Sequence, residues 1–195
     1  MAISKKEQIS QSALRSFAQY GYSDTTMDTI AEMAQVAKGT LYYHFKTKEE
    51  LFLYVNQKGV QLLIQSVNNA MNDESKSLYE RMIVLLNEHL RFFSEHNEFC
   101  LLLLSVSTGD MSRDNMIRTL LSEYFTTLEK HLTEMQRAGV IDADLEIRTL
   151  ASALFGMIGF TVLRKLYRNE PIYTPETRET LLTLCRGVLH SSQDK

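Results

Sequence analysis

VAKGTLYYHFKTKEELF, residues 36–52, decides the reading of this 195-residue chain. Its apolar Leu41 and Phe45 are four residues apart, the spacing of one face of an α-helix, so a short helix over 38–45 buries that edge. Successive helical residues point about 100° apart, so Tyr42 and Tyr43 cannot both share the buried edge and at least one faces out. Around the edge the helix presents Lys38, Gly39, Thr40, Tyr42, Tyr43 and His44, donors and flat rings crowded onto about two turns. Lys46 and Lys48 flank it. Thr47, with Glu50 three residues later, is a capping box that starts another helix at 48 and leaves amides free for an anion.

Upstream, a helix over 26–34 buries Met27, Ile30, Ala31 and Ala34, entered through a second box, Thr25 with Asp28. Only residues 35–37 separate it from the helix over 38–45. Two short helices so joined have the geometry of a helix-turn-helix, whose second helix enters the major groove of DNA by its amino end. A first helix over 5–20 opens on the box Ser4 with Glu7, carries Ile9, Ala13, Leu14, Phe17 and Ala18 on one face, and ends where Gly21 suits a left-handed residue. These three helices close a compact head.

The rest of the composition describes a globular chain of long regular elements: 44% hydrophobic, 23% charged, 2 Pro and 8 Gly. Cys100 and Cys185 lie far apart inside apolar runs and read as buried hydrophobes, with neither zinc nor disulfide spacing. The amino terminus has no apolar signal core and no stretch approaches ~18 uninterrupted apolar residues, so a cytoplasmic protein with no membrane partner is expected. Net charge is −3, which does not favour nucleic acid. Within residues 1–50, Lys5, Lys6, Arg15, Lys38, Lys46 and Lys48 balance Glu7, Asp24, Asp28, Glu32, Glu49 and Glu50. A DNA-binding reading therefore rests on where the charges stand.

Downstream the helical period persists over 48–71, 78–95 (opened by Ser77 with Glu80), 98–107, 112–138, 145–168 and 175–190. Gly139 ends the seventh helix, and Pro175 after Thr174 opens the ninth. The run FCLLLLSV over 99–106 could be a buried strand, but Leu is not β-branched and no partner strand is evident. The fold class expected is all-α with about nine helices: a three-helix head at residues 1–47, and a larger helical body at 48–195 for effector binding and dimerisation. At ~1.5 Å per residue the helix over 48–71 exceeds 30 Å, long enough to link the two.

Across residues 8–52, the stretches ALRSFAQYGYSDTTMDTIAEMA (13–34) and VAKGTLYYHFKTKEELF (36–52) resemble the TetR family of bacterial regulators. The resemblance implies that Lys38 and Gly39 lie nearest the bases, while Thr26, Thr40, Tyr42, Tyr43, His44 and Lys48 hold phosphates, with Lys46 beside them. Phosphate contacts set position and base contacts read sequence. Gln35 stands where the family commonly has Gly; a left-handed backbone there would cost Gln ~1 kcal/mol. The implied function is a sequence-specific transcriptional regulator, a dimeric repressor of a palindromic double-stranded operator, released by a small hydrophobic ligand. A ligand-independent architectural factor and a helical ligand carrier with a vestigial head are the alternatives.

The eighth and ninth helices carry broad apolar faces, and Leu154, Phe155, Ile158, Val162, Leu181, Leu184, Cys185 and Val188 are the expected homodimer interface. Intrachain core is the competing explanation of that stripe. Following the resemblance, a pocket for the effector is expected at Phe92, Phe99, Leu103, Met116, Tyr124 and Phe155, in a body where Met and aromatic groups are plentiful. His89 and His96, seven apart beside Glu88 and Glu95, lack a third ligand at metal spacing. No metal or cofactor is expected, and no local catalytic signature points to an enzyme.

Overall fold

The computed structural model of the protein describes residues 3–104, 111–187 and 189. Among the described residues nine helices follow one another: α1 (Lys5–Asp24), α2 (Met27–Met33), α3 (Lys38–His44), α4 (Lys48–Met71), α5 (Leu78–Glu95), α6 (Asn97–Leu104), α7 (Met111–Arg137), α8 (Ile147–Tyr167) and α9 (Pro175–Arg186). The expected bounds of α4 and α5 are met, and the Leu-rich run is helical as far as Leu104. Among the described residues the one β feature is an isolated bridge between Ile141 and Leu189. The helices group into two compact units, Met1–Val60 with Glu98–Leu120, and Gln61–Asn97 with Leu121–Lys195.

In the first unit, α1, α2 and α3 pack on one another through Ile9, Ala13, Phe17, Ile30, Ala31, Ala34, Leu41 and Phe45, all buried. Phe52 of α4 meets Phe17 edge-on at 5.1 Å and Tyr22 at 4.9 Å, an arrangement that places ring edges on ring faces. The backbone amide of Glu7 donates to Ser4 Oγ at 3.1 Å, and that of Glu50 to Thr47 Oγ1 at 3.0 Å, half of each capping box; the Glu50 carboxylate accepts instead from the Lys46 amide at 2.7 Å. The second box is displaced by one residue. Thr25 is buried, its hydroxyl donating to the Gly21 carbonyl at 2.7 Å, so Thr26 caps α2 instead and accepts from the Thr29 amide at 3.0 Å. Gly21, at φ 78°, breaks the path of α1 before a last turn to Asp24.

In the second unit α5 packs on α8 and α9, and α8 on α9. Leu85, Leu90, Phe93, Tyr124, Leu128, Leu132, Leu154, Ile158, Val162, Leu181 and Cys185 are buried. Ser77 and Glu80 form the full reciprocal box at the head of α5. Thr174 caps α9 with Pro175 in its first turn, and Gly139 at φ 73° follows α7. One polar pair crosses this apolar core. His89 Nδ1 faces the Leu85 carbonyl at 2.9 Å, so Nδ1 carries the proton and Nε2 accepts from the Tyr124 hydroxyl at 2.9 Å. Burial pushes His89 down to about 4 and Tyr124 up. α8 is long and apolar enough by length and composition to span a membrane, at mean hydropathy 1.3, with 33% of that stretch buried.

Candidate nucleic-acid interface

The recognition candidate α3 is anchored by Leu41 and by Phe45 at its cap, both sealed from solvent. That edge leaves Tyr42 43% and Tyr43 76% exposed, with Lys38, Gly39 and Lys46 exposed and Thr40 and His44 half-buried. Gln35, between α2 and α3, adopts φ 50°, the left-handed backbone the turn demands. Thr26 is exposed at the start of α2 with its hydroxyl committed to capping. The sequence-derived residues thus occur together in one unit, but they are not equally available.

Lys48, expected as a phosphate contact, is engaged within the head. Its ammonium lies 2.8 Å from the Tyr22 carbonyl, 3.3 Å from that of Ser23 and 2.7 Å from that of Thr25, and 4.3 Å from the Tyr22 ring centre. α1 has no basic residue in its last turn, and Lys48 supplies the missing cation from the next long helix. An ammonium has three protons to donate and here they meet three carbonyls. Lys46, in contrast, spends one contact on the Tyr42 carbonyl at 2.9 Å and is otherwise exposed. Lys38 is exposed but paired, Nζ to Asp28 Oδ2 at 2.6 Å. The hydrogen bond it donates to Asp28, then the charge of that carboxylate, holds the lysine above its ordinary range.

Two features of the head escaped sequence reasoning. Lys6 lies over the Tyr54 ring at 4.3 Å and the Phe45 ring at 5.5 Å, beside the end of α3. Nothing local in the sequence marks that cation–π contact. Asp28 stands on the recognition side of α2, and its separation of ten residues from Lys38 fits no single-helix rule.

The expected dimer stripe is largely the subunit's own core. Leu154, Ile158, Val162, Leu181 and Cys185 are buried because α8 turns that edge onto α5 and α9. Phe155 is half-buried, its ring 5.4 Å from those of Tyr124 and Phe125. Leu184 is 60% exposed, and Phe160, which the stripe did not include, is 69% exposed. Val188 lies outside the described residues.

The expected pocket residues do not gather around one described cavity. Tyr124 lines a cavity of about 10 Å³ with His89, Leu86, Leu128, Leu154 and Ile158, too small for more than a single water. Phe92 borders an open groove of about 240 Å³ with Arg91 and His96. Phe99 and Leu103 are buried in the other unit, Phe99 against Gly59, where an added Cβ would strike the ring. The side chain of Met116 lies outside the described residues. His89, committed to Leu85 and Tyr124, is not on one surface with the half-buried His96.

Comparison with known proteins adds independent findings. The family pattern "Bacterial regulatory proteins, tetR family" matches residues 9–55, and "YsiA-like protein, C-terminal region" matches residues 56–171. The chain is 26% identical over 188 residues to the fatty acid metabolism regulator protein of Bacillus subtilis, covering 96% of each. A Clostridium perfringens structure described as a fatty acid metabolism regulator superposes with a TM-score of 0.84 at 29% identity, covering 94% of this chain and 100% of that one. The regulator FadR of Bacillus subtilis, solved with stearoyl-CoA, shares the fold at a TM-score of 0.78 and 22% identity, over 91% of this chain and 95% of its own.

Proposed function

This chain belongs to the TetR family of bacterial regulatory proteins, DNA-binding regulators of transcription, and from that premise we propose that it is a cytoplasmic homodimeric repressor released by a long-chain fatty acyl thioester. DNA binding falls to residues 1–47, and effector binding and dimerisation to 48–195. The observation that supports the DNA role is the division of α3: Leu41 holds it from inside, while Lys38, Gly39, Tyr42 and Tyr43 face solvent. An exposed tyrosine presents a hydroxyl donor to a phosphate at little conformational cost, because its ring has few rotatable bonds.

Two copies meet through the outward face of α8 and α9. Phe160, Tyr167 and Leu184 are large exposed apolar groups there, and a groove of about 330 Å³ runs between Met157, Thr161, Thr180 and Leu184. A two-fold pair of heads would meet palindromic half-sites about 34–36 Å apart, or a multiple of that.

The effector class is taken from the Bacillus subtilis regulator solved with stearoyl-CoA, and the fatty acid metabolism regulator that aligns with nearly the whole chain supports it. The acyl chain would enter the body near Tyr124 and Phe155, where aromatic rings crowd and the cavity is nearly closed. Entry therefore requires side chains to part, and a ligand that binds only the parted state shifts the population toward it. Moving that population from 1:99 to 99:1 takes about 5.5 kcal/mol of differential affinity.

A gel-shift assay tests the proposal: purified protein on the duplex upstream of its own coding region, with stearoyl-CoA or coenzyme A added. A discrete complex dissolved by stearoyl-CoA and untouched by coenzyme A is expected. A complex indifferent to every acyl chain length would refute ligand release, and no complex at low salt would refute the regulator role.

A further inference from the structure

Asp28, in the first turn of α2, and Lys38, the first residue of α3, meet with Oδ2 and Nζ 2.6 Å apart. Their side chains are 54% and 63% exposed, so the pair contributes little to folding. The other carboxylate whose charge Lys38 feels is Glu32 on α2. A carboxylate has no favourable interaction with a phosphate, and its presence beside the leading lysine lowers the affinity for DNA backbone as such. What it can do is accept a hydrogen bond from a base edge.

We infer that Asp28 and Lys38 act as one couplet that reads a G·C base pair in each half-site, Lys38 donating to guanine O6 and N7 and Asp28 accepting from the cytosine N4 amino group. The inference rests on the proposed entry of α3 into the major groove. Its geometric basis is a matched spacing. Guanine O6 and cytosine N4 are joined to each other by an N–H···O bond of about 2.9 Å, so the edge offers an acceptor and a donor side by side. The couplet offers a donor and an acceptor 2.6 Å apart, the complementary order at nearly the same interval.

Order and number give the discrimination. A C·G pair reverses the two groups, setting the carboxylate against guanine O6 and the ammonium against an amino group. An A·T pair likewise sets the amino group against the ammonium and O4 against the carboxylate, whereas a T·A pair keeps the order of acceptor and donor but puts the thymine methyl beside O4, where guanine gives the lysine a second acceptor. A lone lysine would donate to any phosphate or carbonyl in reach; the attached carboxylate makes the approach conditional on an amino group. This also gives a reason for DNA binding by residues 1–50, in which the formal charges balance.

The test is site selection from a random duplex pool with the full-length protein as wild type, Asp28→Ala, Lys38→Ala and the double variant, followed by titration of the selected duplex and of versions with one pair exchanged. Wild type should enrich one G·C pair symmetrically in both half-sites, and exchanging it should weaken binding about ten- to a hundredfold. Asp28→Ala should cut that ratio to a few-fold while binding random duplex more tightly, with its thermal melt unchanged. Adding Lys38→Ala should lower the ratio little further, the non-additivity of a shared contact. An unchanged ratio in Asp28→Ala, or an A·T pair at the position that Lys38→Ala relaxes, would overturn the couplet while leaving the DNA-binding role intact. Wild type that selects nothing would overturn both.

Discussion

The Lys48 ammonium donates to the Thr25 carbonyl at 2.7 Å and to the Tyr22 carbonyl at 2.8 Å, fastening the first turn of α4 to the end of α1. Charged hydrogen bonds of this kind, made at a helix end, contribute about 1.5–3 kcal/mol. Lys48→Met, which keeps the stem and removes the charge, should therefore lower stability by about 2 kcal/mol and Tm by about 4–8 °C. Thermal unfolding followed by circular dichroism measures it. A variant that melts like wild type but loses DNA affinity would return Lys48 to the phosphate contacts.

Gln35 holds φ 50° in the turn between α2 and α3. A side chain there costs roughly 1–2 kcal/mol, which glycine avoids, less what glycine adds to the freedom of the unfolded chain. Gln35→Gly should raise stability by about 0.5–1 kcal/mol with operator affinity unchanged. A shift of the urea midpoint to higher concentration is the expected reading, and a shift to lower concentration would show that the Gln35 side chain makes a compensating contact.

His89 titrates at about 4 in the folded chain because burial disfavours its charged form, with the Leu85 carbonyl opposing part of that shift; the ordinary histidine value is about 6.5. Between those values the unfolded chain takes up a proton that the folded chain refuses, so stability is full above about pH 6.5 and falls as pH drops toward 4. The loss reaches about 3 kcal/mol at ~1.4 kcal/mol per pH unit, and His131, lowered by burial, adds to it in the same direction. Urea unfolding across pH 7.5 to 4.5 should show this slope, shallower in His89→Leu. Tyr124→Phe leaves Nε2 buried without a donor and should cost about 1–3 kcal/mol at pH 7.5.

Phe160 and Leu184 face outward, whereas Val162 is sealed in the subunit. Phe160→Arg and Leu184→Arg should each give folded monomers in sedimentation, with operator affinity reduced at least tenfold as the second head is lost. Val162→Arg should fail to fold, because it buries an unpaired charge. Intact dimers from both outward variants would place the subunit contact on another surface.

Much of the helical order was legible because each signal was local. Ser77 with Glu80 and Thr174 with Pro175 define helix starts within four residues of chain. The outward tyrosines of α3 followed from the angular step between neighbours. What escaped depended on contacts across long loops of chain. Thr25 looks like a cap until α1 draws its hydroxyl into the core; Lys48 looks like a free cation until the carbonyls of residues 22, 23 and 25 fold beneath it. On α8 the period showed that one edge is apolar, but not that this edge serves α5 and α9 within the subunit while Phe160 is left outside. Periodicity identifies a face to be buried and is silent on which surface buries it.

Hydroxyl-radical footprinting of the selected operator, with wild type and Tyr43→Ala side by side, tests the DNA-binding role of α3 most directly. Tyr43 is 76% exposed, so its removal should leave the melt unchanged while weakening binding. Wild type should protect two patches on one side of the duplex, spaced by about 34–36 Å or a multiple of it, and Tyr43→Ala should lose both at the same protein concentration. Identical footprints from the two proteins, or no protection by wild type at low salt, would contradict it.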